Sequence, residues 1–303
     1  MRKKYLLAIG LILILITAFS FGHQAGRQPE AKKIKIVTTI FPLTEMAMGV
    51  AGERAEVYQL IPTSIEVHNF QLKPKDLKVL SEAQILISVG GQLEPWLDKI
   101  EKSLKMEKTR KIRFFNYLEN AHYPHLNPPD PHLWLDLKAD SLLVDKIREE
   151  LNSVDPEGIE YYDHNGEALK KELLNLDEDF IKSLGSCQQK ILVVAGHQAF
   201  GYLASRYGLE QVSLTGQNPE AQPSPRKLEE IISLIKLRKI QTIFYESSTP
   251  PAYAETIARE TGVKLRSLST GVHLSRTEIE KKVSFIELMK KNLAILKESL
   301  SCQ

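Results

Sequence analysis

Eight histidines are scattered through the 303-residue chain, at positions 23, 68, 122, 125, 132, 164, 197 and 273. A lone histidine is usually a surface or core residue, so placement has to single any of them out. Three are placed differently. His68 follows an apolar β-type run in "IPTSIEVHNFQLKP", His132 sits inside "NPPDPHLWLD", and His197 directly follows the apolar run "ILVVAG". Neutral imidazoles are good ligands for borderline divalent cations, zinc above all, and three of them leave one coordination position open. Binding requires deprotonated rings, so it is expected to weaken as pH falls below roughly 6.

The setting of His132 supports that reading. Pro128, Pro129 and Pro131 restrict the loop before the ring, so less chain entropy is lost when an ion is bound. The bland alternative is a proline-rich turn entering a short strand. Asp130 and Asp136 flank the ring and are candidates to orient it by accepting its second N–H.

Elements that could carry these loops follow from the periodicity. Short β-branched runs at 33–40, 55–62 and 84–90 alternate with helical patterns, and the alternation returns from about residue 190 to the end of the chain. Such alternation implies βα units and mainly parallel sheets. In parallel sheets the loops at the carboxyl ends of strands gather along one edge, where ligands bind. The segment "HQAFGYLASRYG" is expected to be a helix that begins at His197, and the last helix to run from about 277 to 300. Between the two βα regions lies almost unbroken helical pattern, interrupted at "SVDPEG". Its second part, "IEYYDHNGEALKKELLNLDEDFIKSLG", is about 27 residues, roughly 40 Å at 1.5 Å per residue, and reads as a rigid strut. The expected organisation is an α/β fold of two lobes, 32–155 and 186–303, joined by a helix over 156–185, with the ligand site in the cleft between them.

Composition narrows the function. With 43% hydrophobic and 26% charged residues the chain is globular rather than low-complexity. The basic start "MRKKY", the apolar run at 6–19 and the polar exit predict an export signal over 1–22. The run is also about as long as a minimal membrane span, so an uncleaved anchor is the alternative. No cysteine follows the run, so lipid attachment is not expected. Loss of Arg2, Lys3 and Lys4 takes the net charge from +2 to −1, which disfavours nucleic acid as a partner. The two cysteines, Cys187 and Cys302, form an even pair in an exported chain and are expected to make a disulfide that pins the last helix to the second sheet.

Taken in order, the segments "TTIFP", "LIPTSIEVHNFQLKPKDL", "DPHLWLD", "GHQAFGYLASRYGL" and "IFYESS", with "YYDHNGEALKKELLNLD" and "NPEAQPSPRKLEEII", resemble the metal-binding proteins of ABC importers of the ZnuA/TroA type. The resemblance covers essentially the whole chain after the signal. It implies two α/β lobes bridged by one long helix, with the metal between them on His68, His132 and His197. Two departures stand out. Much of the family carries an aspartate in the loop after the last strand, where this chain has Ser269. The fourth position is then expected to be water, with His273, Glu246 or Glu66 as alternatives. The long His-rich loop of many zinc-specific members is reduced to "ENAHYPHLNPPD", holding His122 and His125, which reads equally as a polar surface loop or a metal-collecting one. Manganese-selective members tend to replace one histidine with a carboxylate, so three histidines favour zinc, with manganese or iron second. The "ESS" of "IFYESS" also occurs in manganese-type members.

The resulting expectation is an exported monomer that binds a metal, is not an enzyme, and passes its cargo to a permease and an ATPase that are separate chains. A zinc hydrolase with Glu66 or Glu246 as general base is an alternative class, although no HExxH motif is present. A surface adhesin on the same fold is another.

Overall fold

A computed structural model describes residues 33–248 and 250–303. The expected signal over 1–22 and His23 lie outside the described residues. Among the described residues no helix is long and apolar enough to cross a membrane.

The chain forms two four-stranded, wholly parallel sheets. The first contains β1 (Ile34–Thr38), β2 (Ala55–Gln59), β3 (Ile85–Ser88) and β4 (Arg110–Arg113), in the order β2-β1-β3-β4. The second contains β5 (Ile191–Val194), β6 (Glu210–Ser213), β7 (Thr242–Glu246) and β8 (Lys264–Leu268), in the order β6-β5-β7-β8. The two orders are the same, so each lobe has one internal strand pair where the chain reverses direction across the sheet. There the first-strand loops open outward and leave room for a ligand. β3, "ILIS", is buried along its whole length, as expected of a strand covered on both faces. β4, "RKIR", is an edge strand with mostly polar outward residues, and periodicity does not reveal it; charge on an edge also discourages pairing with another chain.

A 27-residue helix, Ile159–Gly185, connects the halves. It buries Tyr162, Leu173, Leu176, Phe180 and Leu184. It packs against helix Leu137–Val154, and also against Phe41–Ala51 near the start and Phe285–Ser299 near the end of the chain. One continuous apolar core therefore runs from the first sheet, along this helix, to Leu296 and Leu300. A smaller core fills the outer layer of the second sheet around Ile231, Ile235, Ile243 and Ile257. Cys187, just before β5, is bonded to Cys302, beyond the final helix.

Two local expectations differ from the structure. The segment from His197 is not helical until Gly201; the helix spans only Gly201–Arg206, because Gln198 N–H donates to the Gly216 carbonyl and draws the chain out first. The last helical stretch is two helices, Arg276–Glu280 and Phe285–Ser299. Ser275 and Ser284 each open a helix with a capping box, to Glu278 and Glu287, and that reciprocal bonding restarts the helix. The residues after His132, Leu133–Leu135, form a 3₁₀ turn, so the alternative of a proline-rich turn entering a short strand does not hold.

Candidate metal centre

The cleft between the sheets collects the three singled-out histidines. His68 lies in a 3₁₀ turn, Val67–Asn69, in the loop after β2. His132 ends the proline-rich loop that follows helix Phe114–Asn120. His197 lies three residues beyond the end of β5. Their ring centres are 5.3 Å apart for His132 and His197, 5.6 Å for His68 and His132, and 5.9 Å for His68 and His197. One nitrogen of each ring falls within 4.8 Å of those of the other two, and this is the one such group of three metal-ligating side chains among the described residues.

Two of the rings are held from behind by buried carboxylates. His132 Nδ1 lies 2.7 Å from Asp130 Oδ1, which also accepts the His132 backbone N–H at 2.9 Å. His197 Nδ1 lies 3.2 Å from Glu246 Oε2. A carboxylate on Nδ1 fixes the tautomer with its proton there and leaves Nε2 as a lone-pair donor facing the cleft. Asp136 does not orient a ring. Its carboxylate caps helix Leu137–Val154 by accepting the N–H groups of Lys138 and Ala139, and it takes the Tyr123 hydroxyl at 2.7 Å.

The electrostatics favour neutral rings. Burial, and then the neighbouring His132, push His68 down to about 4. Burial, and then His132, push His197 down to about 4 as well. Three imidazoles this close cannot all charge in a site with little water. Proton competition for these two rings is thereby moved from the ordinary histidine range near 6, expected from the sequence, toward 4.

The remaining candidates are engaged elsewhere. His273 Nδ1 donates to the Thr63 carbonyl at 3.2 Å, and its Nε2 lies 3.3 Å from Glu66 Oε2. Burial opposes the charge on each partner, but their mutual attraction prevails, so Glu66 falls to about 2 and His273 rises. Glu246 places one oxygen 3.2 Å from His197 Nδ1 and accepts the Thr270 hydroxyl with the other, at 2.8 Å. Ser269 shapes its own loop: its hydroxyl accepts Gly271 N–H, and Asn292 bonds both its N–H and its carbonyl. His125 stacks on Phe115 with ring centres 4.4 Å apart and bonds the Tyr202 hydroxyl at 3.0 Å, so it is a packing residue, while His122 is exposed.

Sequence reasoning missed the roles of Trp134 and Thr270. The Trp134 indole N–H donates to the Thr270 carbonyl at 2.7 Å, across the cleft. Further polar links lace the rims: Asn69 to Glu220 at 2.6 Å, and Gln217 to the Pro129 carbonyl at 2.6 Å. Asn69, Gln217, Glu220 and His68 line a cavity of about 310 Å³ beside the site. The only sequence signal for the Trp134 link was an aromatic next to a ligand candidate, which apolar packing explains equally well.

Comparison with known proteins adds an independent line. Residues 36–299 match the family model described as "Zinc-uptake complex component A periplasmic". The zinc-binding protein AdcA of Streptococcus pyogenes serotype M1 is 30% identical over 320 residues, covering 98% of this chain. The chain spans only 61% of the length of that relative. The high-affinity zinc uptake system protein ZnuA of Bacillus subtilis (strain 168) is 29% identical over 316 residues, with 99% of each chain covered. Among solved structures, the Zn(II)-bound ZnuA-like domain of Streptococcus pneumoniae AdcA superimposes with a TM-score of 0.77 at 31% identity, covering 88% of this chain and 99% of that one.

Proposed function

Since the chain belongs to the zinc-uptake complex component A family, we propose that it is an extracytoplasmic receptor that captures zinc and delivers it to a membrane permease driven by an ATPase. The observation that carries this reading is the convergence of His68, His132 and His197, with one nitrogen of each within 4.8 Å of the others. Zinc bonded at about 2 Å to tetrahedral nitrogens needs them roughly 3.4 Å apart, so a small inward movement of the loops completes the site. Neutral nitrogen donors favour zinc over manganese, which suits oxygen-rich sites better, and zinc stands above iron(II) in the general order of affinity for such sites. Water takes the fourth position, since Glu66 and His273 are occupied with each other and Glu246 with His197 and Thr270.

The same engagements argue against a hydrolase. Neither Glu66 nor Glu246 is poised as a general base beside a metal-bound water. The protein is a monomeric carrier, its permease and ATPase being separate chains, and it is directed outside the cytoplasm by the segment 1–22. Its lobes are 32–155 and 186–303, joined through 156–185. The core shared along the connecting helix suits small adjustments of the loops on release better than a wide hinge.

The test is competitive calorimetry of the purified protein with zinc, manganese and iron(II), repeated on His132→Ala. Tight one-to-one zinc binding that the substitution abolishes is expected. Equal affinity for manganese, or an unaffected mutant, would overturn the assignment.

A further inference from the structure

Thr270 lies in the loop after β8, in the second lobe, and is 2% exposed. It makes two bonds that point to two different metal-site histidines. Its carbonyl accepts the indole N–H of Trp134 at 2.7 Å. Its hydroxyl donates to Glu246 Oε1 at 2.8 Å, and the other oxygen of Glu246 lies 3.2 Å from His197 Nδ1. Trp134 is two residues beyond His132, is fully buried, and its ring centre lies 5.3 Å from the His132 ring. A continuous path therefore runs from His132 through Trp134, Thr270 and Glu246 to His197. It crosses the cleft, because His132 and Trp134 come from the first half of the chain and the other three residues from the second.

We propose that Thr270 is a positioning residue of the metal site, fixing the distance and relative orientation of His132 and His197. The proposal rests on the zinc-receptor reading above. The chemistry follows from the donor and acceptor inventory. The threonine hydroxyl has one proton, and giving it to Glu246 holds that carboxylate in the rotation that presents its second oxygen to His197. The carbonyl is fixed by the rigid indole, the bulkiest fully buried side chain among the described residues. All four groups are buried, so each bond lost leaves a polar atom without water to replace it. Thr270 thus acts on the ligands of both lobes through bonds it makes itself. Two imidazole nitrogens kept together favour zinc over manganese, which prefers oxygen ligands.

The experiment uses the full chain and the metals themselves. Zinc affinity by chelator competition, the zinc-to-manganese affinity ratio, the visible absorption of the cobalt(II) form and apo-protein melting are compared for wild type, Thr270→Val, Thr270→Ser, Trp134→Phe and His132→Ala. Valine keeps the shape of threonine and deletes only the hydroxyl. Thr270→Val is expected to weaken zinc by about 10- to 100-fold, lower the zinc preference, and shift the cobalt spectrum away from the tetrahedral pattern. Thr270→Ser restores most of the affinity and the spectrum.

Unchanged affinity and spectrum in Thr270→Val would overturn the proposal. So would a serine variant as damaged as the valine one, since packing of the methyl would then be the cause. Should Thr270→Val fail to fold, Trp134→Phe breaks the path from the other side while keeping an aromatic ring; it is expected to weaken zinc, and wild-type behaviour would overturn the inference. If wild type binds no zinc, or His132→Ala binds as wild type does, the receptor reading fails and takes this inference with it. If both of those controls behave and Thr270→Val is indifferent, only the inference fails.

Discussion

Asp177, in the long connecting helix, grips the guanidinium of Arg206 through two hydrogen bonds, 3.0 Å to Nε and 2.6 Å to Nη2. Arg206 Nε also lies 3.7 Å from Asp136, which caps the helix that follows the His132 loop, and the Tyr207 hydroxyl donates to Asp177 at 3.1 Å. One cation thus joins the connecting helix, the first lobe and the helix that follows His197. Burial already raises the carboxyl of Asp136 above its usual range. Replacing Arg206 with methionine leaves two buried carboxylates facing each other. Urea unfolding is expected to show a loss of about 3 kcal/mol, at the low end for a broken buried pair because Arg206 is itself 29% exposed. An unchanged midpoint would show that this cluster is incidental.

Asp130 holds His132 by both its ring and its backbone, and the carboxylate is almost wholly buried. Asp130→Ala is expected to weaken zinc binding by about 10- to 100-fold by releasing the ring from its tautomer and orientation. Chelator competition measures it. Wild-type affinity in the variant would mean that the loop prolines and packing alone hold His132.

Acid should destabilise the metal-free fold through its histidines. In the folded chain His197 stays neutral down to about 4. In the unfolded chain it takes a proton below about 6.5. Between those values the unfolded state binds more protons, so stability present above pH 6.5 is lost as pH falls toward 4. Buried Glu94 acts in the opposite sense: burial raises it to about 7, so its contribution is lost as pH rises from about 4.5 to 7. Comparing wild type with His197→Ala separates the two. Wild type is expected to lose more stability than the variant between pH 6.5 and 4 in urea titrations. Parallel curves would refute the buried-imidazole account.

The bond between Cys187 and Cys302 closes a loop of 115 residues and anchors the end of the final helix beside β5. Cys302→Ser is expected to lower stability by about 2–4 kcal/mol, chiefly by freeing the unfolded chain. Calorimetric melting with and without reductant checks it: reductant should shift wild type and leave the variant unmoved. A reductant-insensitive wild type would mean that the bridge does not form.

Much of this molecule was legible in its sequence. β1, β3 and β5 are short apolar runs with little to confuse them. The 27-residue helix was read at the residues it occupies, because its apolar positions recur at helical spacing with no proline inside. The three histidines could be picked out because each follows a strand or a stiffened loop. What stayed hidden depends on residues distant in sequence. β4 is charged and only its pairing with β3 makes it a strand. The halt before Gly201 comes from a carbonyl at Gly216. Glu246 read as a possible fourth ligand or general base until the fold put it behind His197, and Asp136, a helix-capping residue type directly before a helical pattern, read as a partner of His132 until the fold showed the helix start claiming it. Local pattern reports periodicity and stiffness; it does not report which polar groups will meet.

The three imidazoles are supplied by residues 68, 132 and 197, separated by 64 and 65 positions, and the last of them follows the first strand of the second sheet. A polypeptide made from its N-terminus shows the first two long before the third. Even then, the Glu246 that steadies the third arrives a further two strands later. No chain shorter than 197 residues therefore holds all three imidazoles, and none shorter than 246 also holds the carboxylate behind the third. For the proposed zinc receptor this spacing means that the first lobe alone offers two of the three nitrogen donors, and the set closes only when the second lobe has begun to form.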